Sequence, residues 1–314
     1  MKRACVALAV LAAMGWTELG SIRGCAADET AKNYNRQEDV VYGRKHGMAL
    51  TMDVFTPKEK ANGAAIVWMV SGGWFSAHEA INAASIQEYL NRGYTVFAVV
   101  HGSQPKYTIP EAVADVNRAV RYIRHHAKDY GIDPNRVGVT GASAGGHLSL
   151  MLGTAGDQGD SSAKDPVDRE SSRVQAVACF FPPTDFFNYG KEGENALGRG
   201  VLKGFKAPFD FNELDPASKV YRPITDEAKI NEIGHKICPA DQVSADDPPT
   251  LIIHGDADKL VPIQQSELFI EKMKAAGVEC KLVVKNGAGH GWAGIGRDLP
   301  ILADWFDEHL KPSK

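Results

Sequence analysis

The sequence predicts an α/β chain in which a mostly parallel central sheet carries helices on both faces, with a small cap inserted late. Three observations predict it. Apolar runs of strand length alternate with segments of helical periodicity from about residue 64 onward. Runs such as "AAIVWMV" (64–70), "YTVFAVV" (94–100) and "TLIIHG" (250–255) are almost continuously apolar, the mark of strands buried on both faces. Between Phe186 and Pro249 the alternation stops and aromatic residues accumulate.

At the N-terminus, Lys2 and Arg3 precede the apolar run Ala4–Met14, and the small residues of "RGCAADET" follow. That order reads as a secretory signal over residues 1–27, leaving 28–314 as the mature domain in a secreted or periplasmic location. The run is too short to span a bilayer, which takes roughly 20 apolar residues. "DVVYGR" and "ALTMDVF" read as a hairpin around Lys45–Met48, with Gly47 in the turn. After the strand at 64–70, Ser76 and Glu79 have the spacing of a capping box and predict a helix start. After the strand at 94–100, Val113, Val116, Val120, Ile123 and Ala127 recur at helical spacing, predicting a helix within Ile109–Tyr130.

"RVGVT" then reads as a strand, followed by a helix from Ala144 and the strands "VQAVACFF", "TLIIHG" and "KLVVKN". Leu268, Phe269, Met273 and Ala276 form one helical face, and Leu302, Trp305, Phe306 and Leu310 form another. The interruption at 186–249 holds Phe186, Phe187, Tyr189, Phe205, Phe209, Phe211 and Tyr221 but no clear strand, and is read as a packed cap.

Composition narrows the function classes. The 314 residues are 44% hydrophobic and 24% charged, ordinary for a globular chain, and no internal repeat is visible. A formal net charge of −4 without a Lys/Arg cluster argues against a nucleic-acid partner. Of five cysteines, Cys5 and Cys25 fall in the leader. The remaining Cys179, Cys238 and Cys280 show no CxxC spacing, so neither zinc nor a disulfide framework is implied. Cys179 reads as a buried thiol, and a Cys238–Cys280 disulfide stays open.

The chemistry gathers at predicted strand ends. Gly141-Ala142-Ser143-Ala144-Gly145 is a GxSxG pattern between a strong strand and a predicted helix. Small neighbours there let strand and helix pack closely around one strained, exposed hydroxyl. A serine needs a base that is itself oriented by an acid. "HGDADKLVP" follows one predicted strand and brings Asp256 and Asp258; "GAGHGW" follows another and brings His290. All lie on loops at the edge of the sheet where such folds bind ligands.

"GASAGGHL", "HGDADKLVP" and "GAGHGW" together resemble the α/β-hydrolase superfamily, in the branch of hormone-sensitive-lipase-like, acetyl-xylan-esterase-like and feruloyl-esterase-like enzymes. The resemblance covers roughly residues 40–310. It implies Ser143 as nucleophile, His290 as general base and Asp258 as orienting acid, with Asp256 structural and His147 packed behind the elbow. It also implies an oxyanion loop at Val70-Ser71-Gly72-Gly73-Trp74, in which Gly72, Gly73 and Ala144 offer backbone N–H donors. Val70 and Ser71 depart from the branch's usual His and first Gly, which removes a polar support of the loop. Trp74 and Trp292 flank these loops and are the expected substrate contacts, and His101 is read as structural rather than pocket-lining.

The resemblance implies an esterase that needs no cofactor or metal and acts on a small-molecule or saccharide ester of a short acyl group, such as an acetyl or feruloyl ester, and the leader adds export. An amidase or peptidase, a formamidase, and a non-catalytic binding protein of the same fold are the alternatives. Oligomeric state is not legible in the sequence.

Overall fold

The computed structural model describes residues 33–310, so the expected leader at 1–27 lies outside the described residues. Strands β1 (Tyr34–Lys45) and β2 (Met48–Pro57) pair antiparallel, with Lys45 facing Met48. His46 and Gly47 between them both take positive φ, 48° and 78°, the two-residue turn whose twist suits a hairpin. The chain then alternates through β3 (Ala65–Met69), α1 (Gln87–Asn91), β4 (Thr95–Val99), α2 (Ile109–His125), β5 (Val137–Ala142), α3 (Ala144–Ala155) and β6 (Ala176–Phe180).

Two short strands, β7 (Asn212–Leu214) and β8 (Tyr221–Pro223), and two helices, α4 (Glu227–Lys236) and α5 (Pro239–Gln242), follow within the interruption. The alternation resumes with β9 (Thr250–Gly255), α6 (Gln264–Ala275), β10 (Cys280–Lys285) and α7 (Leu299–Leu310).

Eight strands form one sheet in the order β1-β2-β4-β3-β5-β6-β9-β10. Only β2 runs antiparallel to its neighbours; the remaining pairs are parallel. Because side chains alternate along a strand, each strand feeds two cores. Val67, Val139, Val177 and Ile252 meet Val116 and Val120 of α2, Leu148 and Leu152 of α3, and Phe269 and Met273 of α6. Their neighbours Ile66, Ala178, Leu251 and Ile253 meet Leu90 of α1 and Leu302 and Phe306 of α7. Gly138 seats α7 closely, since a methyl group there would lie 2.7 Å from the Phe306 ring.

Three local expectations are corrected. Ser76 does not cap a helix. Its buried hydroxyl donates to Val70 O at 2.5 Å, and the stretch behind it forms only 3₁₀ turns at His78–Ala80 and Ala83–Ser85 before α1. The reciprocal cap belongs to α2, where Glu111 accepts the Thr108 N–H at 2.8 Å and Pro110 sits in the first turn. The segment 186–249 does contain strands, the β7–β8 hairpin, whose three residues apiece carry too little pattern to be read. Cys179, Cys238 and Cys280 are all free thiols, so the open disulfide is not formed.

The aromatics of 186–249 are packed rather than loose. Phe186, Tyr189, Phe209 and Phe211 are buried in the core that also holds Trp74, whereas Tyr221 is exposed. No helix among the described residues is long and apolar enough to cross a membrane.

Candidate active site

The turn from β5 into α3 holds Ser143 at φ 55°, ψ −119°, a backbone conformation that costs a non-glycine residue about 1–3 kcal/mol. Surrounding bonds hold it there: Ser143 N–H donates to Phe180 O at 3.0 Å, and His147 N–H to Ser143 O at 2.8 Å. The small residues around it are a steric requirement. A methyl group on Gly141 would lie 2.5 Å from the Gly145 carbonyl, one on Gly145 2.8 Å from Met69 O, and one on Gly146 2.8 Å from Phe180 O.

His290 is brought to this hydroxyl by the loop after β10. Its Nε2 lies 2.9 Å from Ser143 Oγ, and its Nδ1 lies 2.8 Å from Asp258 Oδ2, on the loop after β9. The carboxylate accepts at Oδ2, so Nδ1 carries the proton and Nε2 is free to accept from the serine hydroxyl. Asp258 Oδ1 accepts the Leu260 and Val261 N–H groups, both at 2.9 Å, which fixes the carboxylate plane. Burial alone would raise the Asp258 pKa. Hydrogen bonding by His254 and His290, the charge of His290 and the Val261 N–H outweigh burial and hold it well below the usual carboxylate range. Asp256 is exposed and accepts the Gly287 N–H at 2.6 Å, tying the two loops together.

The loop expected to hold an oxyanion lies against the elbow, with Ser71 O 3.3 Å from where a Gly145 methyl would be. Gly72 differs from its expected role. Its N–H donates to Phe75 O at 2.9 Å, and its carbonyl accepts the Phe75 N–H, so that donor is engaged inside the turn. The Gly73 and Ala144 amides make no hydrogen bond among the described residues. Ala144 also begins α3, where the free N–H groups and helix dipole favour developing negative charge.

The two tryptophans are placed differently. Trp74 is 3% exposed, donates its indole N–H to His147 Nδ1 at 3.2 Å and packs on Phe186 and Phe209. It braces the loop from inside instead of presenting a face to substrate. Trp292 is half-buried beside Phe180 and Phe181, and its N–H is used by Asp298 at 2.7 Å.

Phe181 and His254 escape the sequence reading, while His101 takes the structural place expected of it. The buried Phe181 ring packs on His290 at a centroid distance of 4.7 Å. His254 Nε2 donates to Val261 O at 2.8 Å and lies 3.4 Å from Asp258 Oδ2. His101 lies 2.8 Å from the Ser71 hydroxyl. His254 and His101 share one legible signal: each is a histidine at the C-terminal end of an otherwise apolar strand run, the edge where sites form.

Two other groupings of carboxylates and histidine occur among the described residues. Asp39, Asp53 and His78 lie close together, but Arg36 Nε occupies Asp53 Oδ2 at 2.8 Å; Glu279, Glu308 and His309 sit at the surface.

The BD-FAE family profile matches residues 52–273. The chain belongs to the BD-FAE family. Among curated proteins, this BD-FAE chain is 27% identical over 251 residues to "Probable carboxylic ester hydrolase LipM" of Mycobacterium tuberculosis, covering 77% of this chain and 53% of that protein. It is 27% identical over 261 residues to an acetylxylan esterase of Xylanibacter ruminicola, covering 82% and 45%. The chain thus spans about half the length of the curated relatives it matches. Among solved structures, a truncated carbohydrate esterase from gut microbiota superposes with a TM-score of 0.68 at 28% identity, over 89% of this chain and 98% of that one. With the parallel sheet and the elbow, these matches place the BD-FAE chain in the α/β-hydrolase fold, in its acetylxylan- and hormone-sensitive-lipase-like branch.

Proposed function

We propose that this chain is an exported serine esterase that cleaves short-acyl carboxylic esters, with acetyl or feruloyl esters of polysaccharides as first candidates. One observation carries the reading: the unbroken hydrogen-bonded series Ser143, His290, Asp258 at 2.9 and 2.8 Å, built on a strained elbow. His290 Nε2 takes the Ser143 proton as Oγ attacks the ester carbonyl. The Gly73 and Ala144 amides receive the oxyanion, a single such donor being worth about 3 kcal/mol in the transition state. His290 then gives that proton to the leaving alkoxide, and the alcohol departs. Water, deprotonated by His290, releases the acid and restores Ser143. Asp258, ionised and oriented by two backbone amides, keeps His290 in the tautomer this sequence of transfers requires.

The names of the similar acetylxylan esterase and carbohydrate esterase support a carbohydrate ester as substrate. The leader-like residues 1–27 support export.

The test is turnover of p-nitrophenyl acetate with fluorophosphonate labelling. Ser143→Ala is expected to lose at least about 10³-fold in kcat and all labelling while its unfolding midpoint holds. A folded variant with near-wild-type turnover would remove Ser143 as nucleophile. A wild type that is labelled but does not turn over the ester would favour an amidase or formamidase, and one that is neither labelled nor active would favour a binding protein of this fold.

A further inference from the structure

The loop that carries the Gly73 amide has a short, irregular path, and the structure shows what holds it. Ser71 Oγ lies 2.8 Å from His101 Nε2. His101 is 2% exposed, and its Nδ1 lies 2.9 Å from the Gly102 carbonyl, which can only accept. Nδ1 therefore carries the proton, and Nε2 accepts the Ser71 hydroxyl. The same histidine holds the preceding residue from the other side. His101 N–H donates to Ser76 Oγ at 3.2 Å, and that hydroxyl donates to Val70 O at 2.5 Å.

His101 is anchored in turn. Gly102 N–H donates at 2.8 Å to Asp115 Oδ2, a buried carboxylate held by Lys45 Nζ at 2.6 Å. A methyl group on Gly102 would lie 2.8 Å from both the Asp115 carboxylate and Lys45 Nζ, so the ion pair is packed directly against the residue after the histidine. Burial pushes the His101 pKa down to about 4, so the ring stays neutral and keeps this tautomer at ordinary pH.

We propose that His101 and Ser71 are positioning residues for the oxyanion site: the buried imidazole fixes the Ser71 hydroxyl, and through it the direction of the Gly73 amide. The proposal rests on the esterase reading above, because it assigns the Gly73 N–H to the tetrahedral intermediate. Neither residue is hydrogen-bonded to Ser143 among the described residues, and the pair is assigned to act through the loop alone. Its loss therefore lowers transition-state stabilisation and leaves ground-state binding intact, a fall in kcat at constant KM.

The experiment measures kcat and KM on p-nitrophenyl acetate for wild type, Ser71→Ala, His101→Leu, the double variant and His101→Gln, with an unfolding midpoint for each. Ser71 is half-exposed, so Ser71→Ala carries the test if His101→Leu fails to fold. Ser71→Ala is expected to lower kcat roughly 10- to 100-fold with KM within about twofold, short of the 10²–10³ that deleting a donor costs. The double variant is expected to be no worse than the poorer single variant, and His101→Gln, whose amide can accept from Ser71 and donate to Gly102 O, to recover part of the loss. An active wild type with Ser71→Ala inside threefold of it, or with losses that multiply in the double variant, overturns the inference and leaves the esterase reading standing. An inert wild type overturns the esterase reading and the inference with it.

Discussion

Asp256 and Asp258 stand two residues apart on one loop and do different work. Asp258 turns inward, takes two backbone N–H groups on one oxygen and His290 on the other, and is held ionised by these partners against its burial. Asp256 points to solvent and pins Gly287. Asp258→Asn is expected to cost on the order of 10⁴ in kcat, because an amide in that place favours the wrong tautomer of His290. Asp256→Asn keeps an oxygen acceptor for Gly287 and is expected to stay within about tenfold. Steady-state rates of the two variants on one ester decide it, and a reversed order would transfer the acid role to Asp256.

Residues of this kind are readable when the constraint is local. The glycines around Ser143 are spaced by the steric needs of a single turn, so GxSxG at a strand–helix junction locates the elbow. Ser71 and His101 are 30 positions apart and meet only because β3 and β4 are parallel neighbours, so nothing in either local pattern announces the pair. The engagement of the Gly72 amide by Phe75 was hidden for a related reason: a glycine pair shows that backbone can approach, but not which N–H remains open.

At the scale of elements, burial explains what was legible. β4, β6 and β9 are buried along their whole length, and an apolar run bounded by turns is the sequence image of such a strand. The hairpin of β1 and β2 is equally plain, because its turn needs two residues at positive φ. The cover formed by 186–249 is legible only as aromatic content, since its strands are three residues long and its order comes from packing. Phe186 and Phe209 clamp Trp74, while His147 Nε2 donates to Ile237 O at 2.7 Å, tying the elbow helix to the end of α4.

Phe205 gives this cover a consequence for substrate choice. Its ring crowds the space where a Gly73 methyl would be, 2.6 Å from that position, against the loop proposed to hold the oxyanion. A ring packed against the loop that carries the Gly73 amide would narrow the room beside it, so rates are expected to fall from acetyl and butyryl to octanoyl and palmitoyl esters. Phe205→Ala is expected to raise the octanoyl-to-acetyl ratio about tenfold, the scale at which a pocket discriminates by added methylenes. Rates across this series, with and without an emulsion, check both points. A wild-type maximum at palmitoyl would make the site a lipase channel.

At the scale of the whole molecule, two of the buried histidines in the polar framework, His101 and His147, bear on its stability to acid. His101 and His147 are 2% and 0% exposed, and burial pushes each pKa down to about 4. In the unfolded chain a histidine titrates near 6.5. Above that pH both states are neutral and these residues make no pH-dependent contribution. Between about 6.5 and 4 the unfolded chain binds two protons that the folded chain refuses, so stability falls as pH falls, by about 1.4 kcal/mol per pH unit for each histidine. Below about 4 the folded protein protonates too, and the slope from these groups ends.

Asp115 and Asp247, both raised by burial, act in the opposite sense and offset part of this slope. The histidine share of the loss between pH 7.5 and 5.0 is about 4 kcal/mol, a large fraction of a typical stability of about 5–15 kcal/mol. Urea unfolding at those two pH values is expected to show a marked drop, and His147→Gln, which does not titrate, to remove about half of the histidine share. A His147→Gln variant with the same loss between the two pH values as wild type would mean that the His147 ring protonates inside the fold at its ordinary pKa, and the neutral tautomer that holds Trp74 would then be lost in mild acid.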